Sequence, residues 1–361
     1  MSDLREYHAC FEDLHDKQSW QEDREEYLMK QRRKIRQIHQ EFWDLPTNHQ
    51  EKPMVFGSQH KNRYKTILPN EHSRVILQPE DPESPQEPYI NANYIKGPDG
   101  THNAYIATQG PMPNTIYEFW LMVMQNVRRG GECDQKIAML TEFVESGRTK
   151  CAVYFPTDVN QVLVFAHGAD DVLSAHAPPP NATPDDCGAQ ASDSVWLKAY
   201  LDMLEDDEEK NDDKFVHRCA FVIENTGVIQ KTGYSVRNLC VRHFDNDGKP
   251  HRFNVQHYWF PDWPDHRSPE DLGVVLDFAL DLLGNEPQDG VPLPVLHCSA
   301  GIGRTGCMAG ILNAVRQIDS APVNPSVDIL GIVCNLRLQR GGMVQNSEQY
   351  ELIYRVVCLY Q

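Results

Sequence analysis

A cysteine and an arginine lie six residues apart in a glycine-rich string, HCSAGIGRTG, which runs from His297 to Gly306. A thiolate is a strong nucleophile, and the planar guanidinium of Arg304 can hold two oxygens of one phosphate group. Glycines allow successive backbone N–H groups to point inward and form an anion-binding nest. Together these features predict transfer of a phosphoryl group from a monoester to the sulfur of Cys298. The alternative is a glycine-rich turn around a buried, unreactive cysteine.

The elements on either side of this string must position it. Residues 291–296 have the pattern of a short buried strand, and residues 307–312 that of the start of a helix. The string therefore joins a strand end to a helix N-terminus, where N–H groups lack partners and the helix dipole favours an anion. Because such a field lowers the pKa of a thiol, we expect Cys298 to be ionised.

The ten-residue string resembles the signature loop of the tyrosine-specific protein phosphatases, and further matches run from about Lys61 to the C-terminus. The resemblance implies an α/β fold with a single catalytic domain, whose highly twisted mixed β-sheet is flanked by helices on both faces. It also implies a hydrolase that removes phosphate from tyrosine in proteins. The implied catalytic residues are Cys298, Arg304, Asp265, Gln345, Thr305 and His297. The implied substrate contacts are Ser299, Ala300, Gly301, Ile302, Gly303, Tyr64 and Gln349.

The implied first step needs an acid as well as a nucleophile. A tyrosyl leaving group has a pKa of about 10 and must receive a proton. Asp265 is the candidate acid, on a loop held by the bulky Trp263 and the stiff Pro264. We expect this loop to close over bound substrate. A turn aspartate after proline is the alternative reading of Asp265.

The implied second step hydrolyses the cysteinyl-phosphate. Gln345 orients the attacking water and Asp265 takes its proton, with Gln349 as a lesser helper. Thr305 hydrogen-bonds the departing thiolate. His297 supports the loop backbone and helps to keep the cysteine ionised.

Two further stretches match loops of the family. The stretch from Lys61 to Tyr64 resembles the phosphotyrosine-recognition loop, whose tyrosine makes the pocket too deep for shorter phosphorylated side chains. Glu145 and Lys150 match a loop whose glutamate orients the signature arginine, and solvated loop charges are the alternative for this pair. Glu145, Lys150 and Trp263 are therefore predicted to support the catalytic residues, and they are called the supporting set below.

Some positions depart from the family pattern. Thr66 stands where an aspartate usually anchors the substrate peptide, and Arg267 stands where glycine is usual. Phe155 stands where tryptophan is common in the family. Because none of these changes removes a catalytic group, an active enzyme is the first hypothesis. The alternative is a weakly active or inactive phosphotyrosine-binding module.

Composition divides the chain into unequal parts. Residues 1–50 predict a helical segment packed on a catalytic domain of residues 51–361. In that segment a run of basic residues predicts a solvated helix face or, alternatively, a docking surface for an acidic partner: Lys30, Arg32, Arg33, Lys34 and Arg36. Residues 157–214 interrupt the family pattern with fourteen Asp or Glu and three Lys, so we expect an acidic, flexible insertion there.

The whole-chain composition limits the environment and the partners. The ten cysteines are scattered without a C-x-x-C pair, which indicates reduced thiols rather than disulfides or a zinc site. A net charge of −18 argues against nucleic acid as the main partner. The sequence contains no signal peptide and no membrane span, so we expect a cytoplasmic monomer that acts on phosphotyrosine-containing proteins. We expect no cofactor and no metal, because Arg304 and the backbone nest supply the positive field.

Overall fold

The computed structural model describes residues 20–46, 55, 57–80, 88–130, 134–167, 173–176, 219–245, 249–264, 267–284, 291–320 and 327–361. Six α-helices lie in these ranges: α1 Trp20–Asp44, α2 Ile116–Gly130, α3 Leu272–Leu283, α4 Gly303–Asp319, α5 Ile329–Gln339 and α6 Ser347–Tyr360. None of the described helices combines the length and the apolar character needed to cross a lipid bilayer.

The strands of the described residues form one nine-stranded sheet and a two-stranded ribbon. Their bounds are β1 Ala92–Lys96, β2 Asn103–Thr108, β3 Gln135–Met139, β4 Val144–Glu145, β5 Arg148–Thr149, β6 Gln161–Ala166, β7 Leu173–His176, β8 Ala220–Gln230, β9 Ser235–Phe244, β10 Pro250–Trp259 and β11 Val295–His297. The order in the large sheet is β1-β2-β11-β3-β10-β9-β8-β6-β7, and β4 pairs with β5. β11 runs parallel to β2 and β3, and β3 runs parallel to β10. The other pairs are antiparallel, so the sheet is mixed.

Apolar side chains cover both faces of the sheet, as its parallel centre requires. One core cluster joins α3, α4, α5 and α6 to one face, and α2 belongs to a second cluster on the other face. The central strand β11 is fully buried. The expected α/β fold, with a mixed sheet flanked by helices on both faces, is therefore confirmed.

α3 is absent from the elements that the sequence pattern predicts. Two signals for it are present in the sequence. Its buried residues, Val275, Phe278, Ala279 and Leu282, recur at helical spacing. Its N-cap is Asp271, whose carboxylate accepts hydrogen bonds from the N–H groups of Gly273 and Val274 at 2.9 and 3.2 Å.

The C-terminal half of α1 packs on α6. His39 Nε2 lies 2.9 Å from a carboxylate oxygen of Glu351, and the hydroxyl of Tyr354 donates a hydrogen bond of 2.5 Å to Glu41. The described end of the N-terminal segment is thus attached to the helix that closes the catalytic domain. Residues 1–19 of the predicted helical segment lie outside the described residues.

The sheet extends into the range that the sequence assigns to an insertion. β6 pairs with β8, and β7 pairs with β6, at the edge of the large sheet. The side chains of Val162, Leu163 and Val164 are buried there. Apolar burial makes this edge strand part of the core, and the insertion expected at about residues 157–214 stays a prediction. Residues 177–218 lie outside the described residues.

Candidate active site

The glycine-rich string lies between β11 and α4. β11 ends at His297 and α4 begins at Gly303, so Cys298 and the following four residues form the connecting loop. The Cys298 side chain is buried, with 3 % of its surface exposed. This is the strand–loop–helix arrangement that the sequence predicts, with unpaired N–H groups of a helix N-terminus next to the thiol.

Two glycines allow the loop to approach its neighbours closely. Gly301 has φ of +71°, and a Cβ on it would lie 2.2 Å from the carbonyl oxygen of Thr108. A Cβ on Gly303 would lie 2.2 Å from Oε1 of Gln345. Since no side chain fits at either contact, glycine is required where the loop meets the end of β2 and is favoured where it meets the Gln345 loop.

A buried guanidinium orients the peptide groups of the loop. Arg340 Nε donates to the carbonyl of Gly301 at 2.8 Å, and its Nη2 donates to that of Ala300 at 3.2 Å. In a trans peptide the C=O and N–H point in opposite directions. The N–H groups of Gly301 and Ile302 consequently point away from Arg340, and the Gly301 N–H lies 3.3 Å from the Cys298 sulfur. Arg340 is not among the residues predicted from the sequence to act in the site.

Opposing effects determine the ionisation of Cys298. Burial disfavours the thiolate, but the charge of Arg304, the hydroxyl and N–H of Thr305 and the N–H of Gly301 favour it. The net result is a lowered pKa of Cys298. Among the described residues the Thr305 hydroxyl has no hydrogen-bond partner of ordinary geometry, so it is available to the sulfur.

A carboxylate fixes the orientation of Arg304. Its Nη1 donates to Oε1 of Glu145 at 2.5 Å and its Nη2 donates to Oε2 at 3.1 Å. Nη1 also donates to the carbonyl of Trp263 at 2.9 Å, and Lys150 Nζ lies 3.6 Å from Glu145. Burial would raise the pKa of Glu145, but the hydrogen bonds and charge of Arg304 outweigh it and lower that pKa. The predicted supporting set, Glu145, Lys150 and Trp263, is thus brought together at the signature arginine.

Tyr64 lies at the rim of the same loop. Its side chain is 37 % exposed, and its hydroxyl is 2.9 Å from the hydroxyl of Ser299. The preceding Arg63 holds this segment in place, because its Nε donates to the carbonyl of Gly110 and its Nη2 to that of Pro111, at 3.0 and 2.7 Å. A half-exposed ring at the pocket rim is free to contact a substrate ring.

The two candidate glutamines lie on the segment before α6. The N–H of Gln345 donates to Oε1 of Gln349 at 2.9 Å, and Gln345 is exposed whereas Gln349 is buried. Val344 has φ of +62°, a strained conformation for a β-branched residue. Arg337 sustains it by donating to the carbonyls of Met343 and Val344, both at 3.0 Å.

His297 is a neutral hydrogen-bonding group in this site. Its Nδ1 is 3.1 Å from the carbonyl of Cys298, and its Nε2 is 2.6 Å from the hydroxyl of Tyr154, which also contacts Nε2 of His257 at 2.7 Å. Burial lowers the pKa of His297 to about 4. Any support that it gives to the thiolate therefore comes from positioning the loop, because the imidazole carries no charge at neutral pH.

Asp265 lies outside the described residues, so its acid role stays a prediction. Both flanks of its loop are described. The Trp263 ring is buried and its Nε1 donates to the carbonyl of Arg267 at 3.2 Å, while the N–H of Arg267 donates to the carbonyl of Pro264 at 3.3 Å. These bonds link the two described flanks, and the Trp263 carbonyl contacts Arg304.

A thiol of lowered pKa in a loop of inward N–H groups, next to a clamped guanidinium, defines a cysteine-based phosphate site. The profile of the family described as protein-tyrosine phosphatase matches residues 58–169 and 192–359. The chain belongs to the protein-tyrosine phosphatase family, as the resemblance of its signature loop indicated.

Three relatives show how far the similarity extends. Receptor-type tyrosine-protein phosphatase R of Rattus norvegicus is 36 % identical over 330 residues, which cover 90 % of this chain and 39 % of that protein. Tyrosine-protein phosphatase non-receptor type 7 of Rattus norvegicus is 35 % identical over 90 % of this chain and 71 % of its own length. Non-receptor type 5 of Homo sapiens is 33 % identical over 89 % of this chain and 45 % of its own length. The chain thus spans about two fifths of the length of the receptor-type relatives that it matches.

Proposed function

We propose that the chain hydrolyses phosphotyrosine in proteins through a cysteinyl-phosphate intermediate. One observation carries the proposal: the Cys298 thiol, which accepts a hydrogen bond from the Gly301 N–H, has a lowered pKa, and Arg304 is held beside it by the two hydrogen bonds that it donates to Glu145. A phosphate dianion in this loop meets backbone N–H groups and a planar fork of donors next to the Cys298 sulfur.

In the first step the thiolate of Cys298 attacks phosphorus, and the bond to the tyrosyl oxygen breaks. Asp265 donates a proton to that oxygen. Tyr64 forms one wall of the pocket, which favours the long phosphotyrosine side chain over phosphoserine. Arg304 and the N–H groups of the loop stabilise the charge on the transferring group.

In the second step water attacks the cysteinyl-phosphate and the thiolate leaves. Gln345 orients the water, assisted by Gln349, and Asp265 takes up the proton that it lost. The free hydroxyl of Thr305 donates to the departing thiolate, which lowers the free energy of that step. The positive field of the loop supplies what a metal supplies in other phosphatases, so no step needs a metal.

The direct test uses purified full-length chain with a small aryl phosphate and with matched phosphotyrosine and phosphoserine peptides. We expect Cys298→Ser to lower kcat by more than about 10⁴-fold and to retain phosphopeptide binding, because the loop survives. Cys334→Ser, at a half-buried cysteine of α5, is the matched control and keeps full activity. Turnover of the aryl phosphate by Cys298→Ser, or equal rates on both peptides, would contradict the mechanism.

The second candidate is a phosphotyrosine-binding module with little turnover, and it rests on Arg267 and Thr66. A wild-type chain that binds phosphotyrosine peptide but does not hydrolyse the aryl phosphate would favour this candidate. An Asp265→Ala variant that traps phosphoproteins from cells would instead support the enzyme and identify its substrates.

We also propose that the chain is a cytoplasmic monomer. Catalysis needs a reduced Cys298, and none of the seven cysteines among the described residues forms a disulfide, as is usual in reducing compartments. Two of the similar proteins are named as non-receptor phosphatases. Fractionation of cells that express the chain, followed by light scattering of the purified protein, tests both points.

A further inference from the structure

A second group of reactive side chains lies away from the signature loop, at the far end of β8 and β9. Glu80, Cys219 and His243 bring one carboxylate, one thiol and one imidazole together, and their ligand atoms all lie within 4.8 Å of one another. β9 stands third in the sheet from β11, which carries the signature loop, so this cluster is separate from the proposed catalytic residues.

The strand register explains how the cluster forms. His243 of β9 pairs with Phe221 of β8. Because alternate residues of a strand share a face, Cys219 lies on the same face as Phe221 and therefore beside His243. Glu80 reaches them from the segment before β1. Cys219 is 5 % exposed and His243 1 % exposed, so two of the three groups are almost completely buried.

One ring nitrogen of the His243 imidazole lacks a partner. Among the described residues, its Nδ1 has no hydrogen-bond partner, while its Nε2 lies 2.6 Å from Oε1 of Glu80 in an ion pair. A buried polar atom without a partner is unfavourable. A cation that accepts the lone pair of this nitrogen removes that penalty.

A tyrosine orients the carboxylate of the cluster. The hydroxyl of Tyr117, on α2, donates a hydrogen bond to Oε2 of Glu80, while Oε1 faces His243. Metal-binding carboxylates and imidazoles are commonly held in this way by an outer hydrogen bond. Tyr117 thus leaves one carboxylate oxygen for coordination and holds the other.

We propose that Glu80, Cys219 and His243 bind a structural Zn²⁺ ion, with water as the fourth ligand. One thiolate, one imidazole and one carboxylate suit this borderline-soft cation. Tetrahedral zinc with bonds of about 2.0–2.3 Å places ligand atoms roughly 3.3–3.7 Å apart. On binding, the Glu80 and His243 atoms that now lie 2.6 Å apart would therefore separate slightly to admit the ion. The Cys219 S–H proton leaves to solvent as the S–Zn bond forms.

The position of the ion suggests what it stabilises. Cys219 is the first described residue after the acidic range, and its carbonyl accepts a hydrogen bond of 2.9 Å from the N–H of His167, which follows β6. An ion bound to Cys219 and His243 would tie β8 and β9 to the segment that ends at Glu80. Zinc would thereby fix the strand ends from which residues 177–218 depart.

The binding test uses the full chain carrying Cys298→Ser, so that the catalytic thiolate cannot bind the metal. Zn²⁺ is titrated against a chromophoric chelator, and we expect one equivalent bound per chain. Adding Cys219→Ser or His243→Gln should raise the Kd by more than about 100-fold, since even outer-partner changes cost 10- to 100-fold. Cys240 is also buried and lies on β9, outside the cluster. Cys240→Ser is therefore the matched control and leaves the Kd unchanged.

A second measurement protects the test against variants that fail to fold. Co²⁺ added to the Cys298→Ser chain should give a thiolate-to-cobalt charge-transfer band, and saturating Zn²⁺ should raise the Tm by about 2–6 °C. Absence of the band overturns the proposal. Weak Zn²⁺ binding without a defined stoichiometry would also overturn it. The same holds if a folded Cys219→Ser variant still binds one equivalent of Zn²⁺ tightly.

Discussion

At the scale of single residues, the thiol of Cys298 depends on a few donors that offset its burial. Arg304 supplies a full charge, while Thr305 and Gly301 supply dipoles at short range. The hydroxyl of Thr305 is notable because it has no other hydrogen-bond partner among the described residues. Its whole hydrogen-bonding capacity is therefore available to the thiolate.

Replacing Thr305 by valine should raise the pKa of Cys298 by about one to two units. A hydrogen bond to a charged group contributes about 1.5–3 kcal/mol, and one pKa unit corresponds to 1.36 kcal/mol. The rate of Cys298 alkylation by iodoacetamide, followed across pH, measures this pKa directly. Thr305→Ser keeps the hydroxyl and should keep the curve in place. An unshifted curve in Thr305→Val would show that the backbone N–H groups and Arg304 alone are enough to lower the pKa of Cys298.

His297 should make the protein less stable as the pH falls from about 6.5 towards 4. Burial lowers its folded-state pKa to about 4, below the unfolded value of about 6.5. Above pH 6.5 neither state binds the proton, whereas between these values only the unfolded state does. The free energy of unfolding therefore falls with pH in this window, by about 2 kcal/mol at pH 5, and His257 adds in the same direction.

Urea unfolding at pH 7 and pH 5 tests this linkage. The His297→Gln variant should lose less stability between the two pH values than the wild-type chain does. His102→Gln removes an exposed histidine and serves as the control, with the wild-type dependence. Equal pH dependence in all three chains would mean that His297 does not contribute to it.

At the scale of elements, the signature loop is shaped by the loops packed against it. The end of β2 restricts Gly301, and the Gln345 segment restricts Gly303. The two contacts differ in kind, because the first is with backbone and the second is with the tip of a flexible side chain. Substitution should therefore affect folding at one glycine and catalysis at the other.

Gly303→Ala should fold normally and turn over slowly. The new Cβ displaces Oε1 of Gln345, which would otherwise lie 2.2 Å away, so the water of the second step loses its orientation. We expect kcat to fall about 10-fold or more, with a burst of product as the cysteinyl-phosphate accumulates. Rapid-quench kinetics with an aryl phosphate measures both.

Gly301→Ala provides the contrast. Its φ of +71° and its contact with the Thr108 carbonyl predict a loss of about 1–3 kcal/mol in the free energy of unfolding. If Gly303→Ala loses as much stability as Gly301→Ala, the Gln345 side chain does not move aside to make room for the new Cβ.

At the scale of the whole molecule, the acidic range presents the main electrostatic problem. Residues 178–214 contain eleven Asp or Glu and three Lys, for a net charge of −8 in a chain of −18. The substrate of the proposed reaction is itself an anion. A negative field near the site slows the approach of acidic peptides, most strongly at low ionic strength.

Deleting residues 178–214 should change substrate preference and leave the chemistry intact. The deletion has to begin after β7, because β6 is a buried strand of the sheet. At low ionic strength we expect kcat/KM for an acidic phosphopeptide to rise about 2- to 10-fold, and to return towards the wild-type value in high salt. The control is turnover of a small aryl phosphate whose aryl group carries no charge, which the deletion should leave unchanged. Equal effects on acidic and basic peptides would contradict a role for the charge.

The sequence by itself determines the signature loop and its chemistry. Cys298, Arg304 and the glycines between them lie within one continuous string, and their flanking strand and helix follow from local patterns. Local spacing is enough here because the nest is formed by the backbone of a few consecutive residues. The family and the α/β fold follow from the same string and from the matched stretches around it.

Only the tertiary structure decides which distant groups support that loop. Arg340 binds the carbonyls of Ala300 and Gly301, and Tyr154 joins His297 to His257, across 39 to 143 residues of sequence. The tertiary structure also brings together Cys219 and His243, the proposed zinc ligands, which no sequence spacing marks as a pair. Such contacts depend on strand register and helix packing, and these are set by burial of the whole core and not by the local sequence.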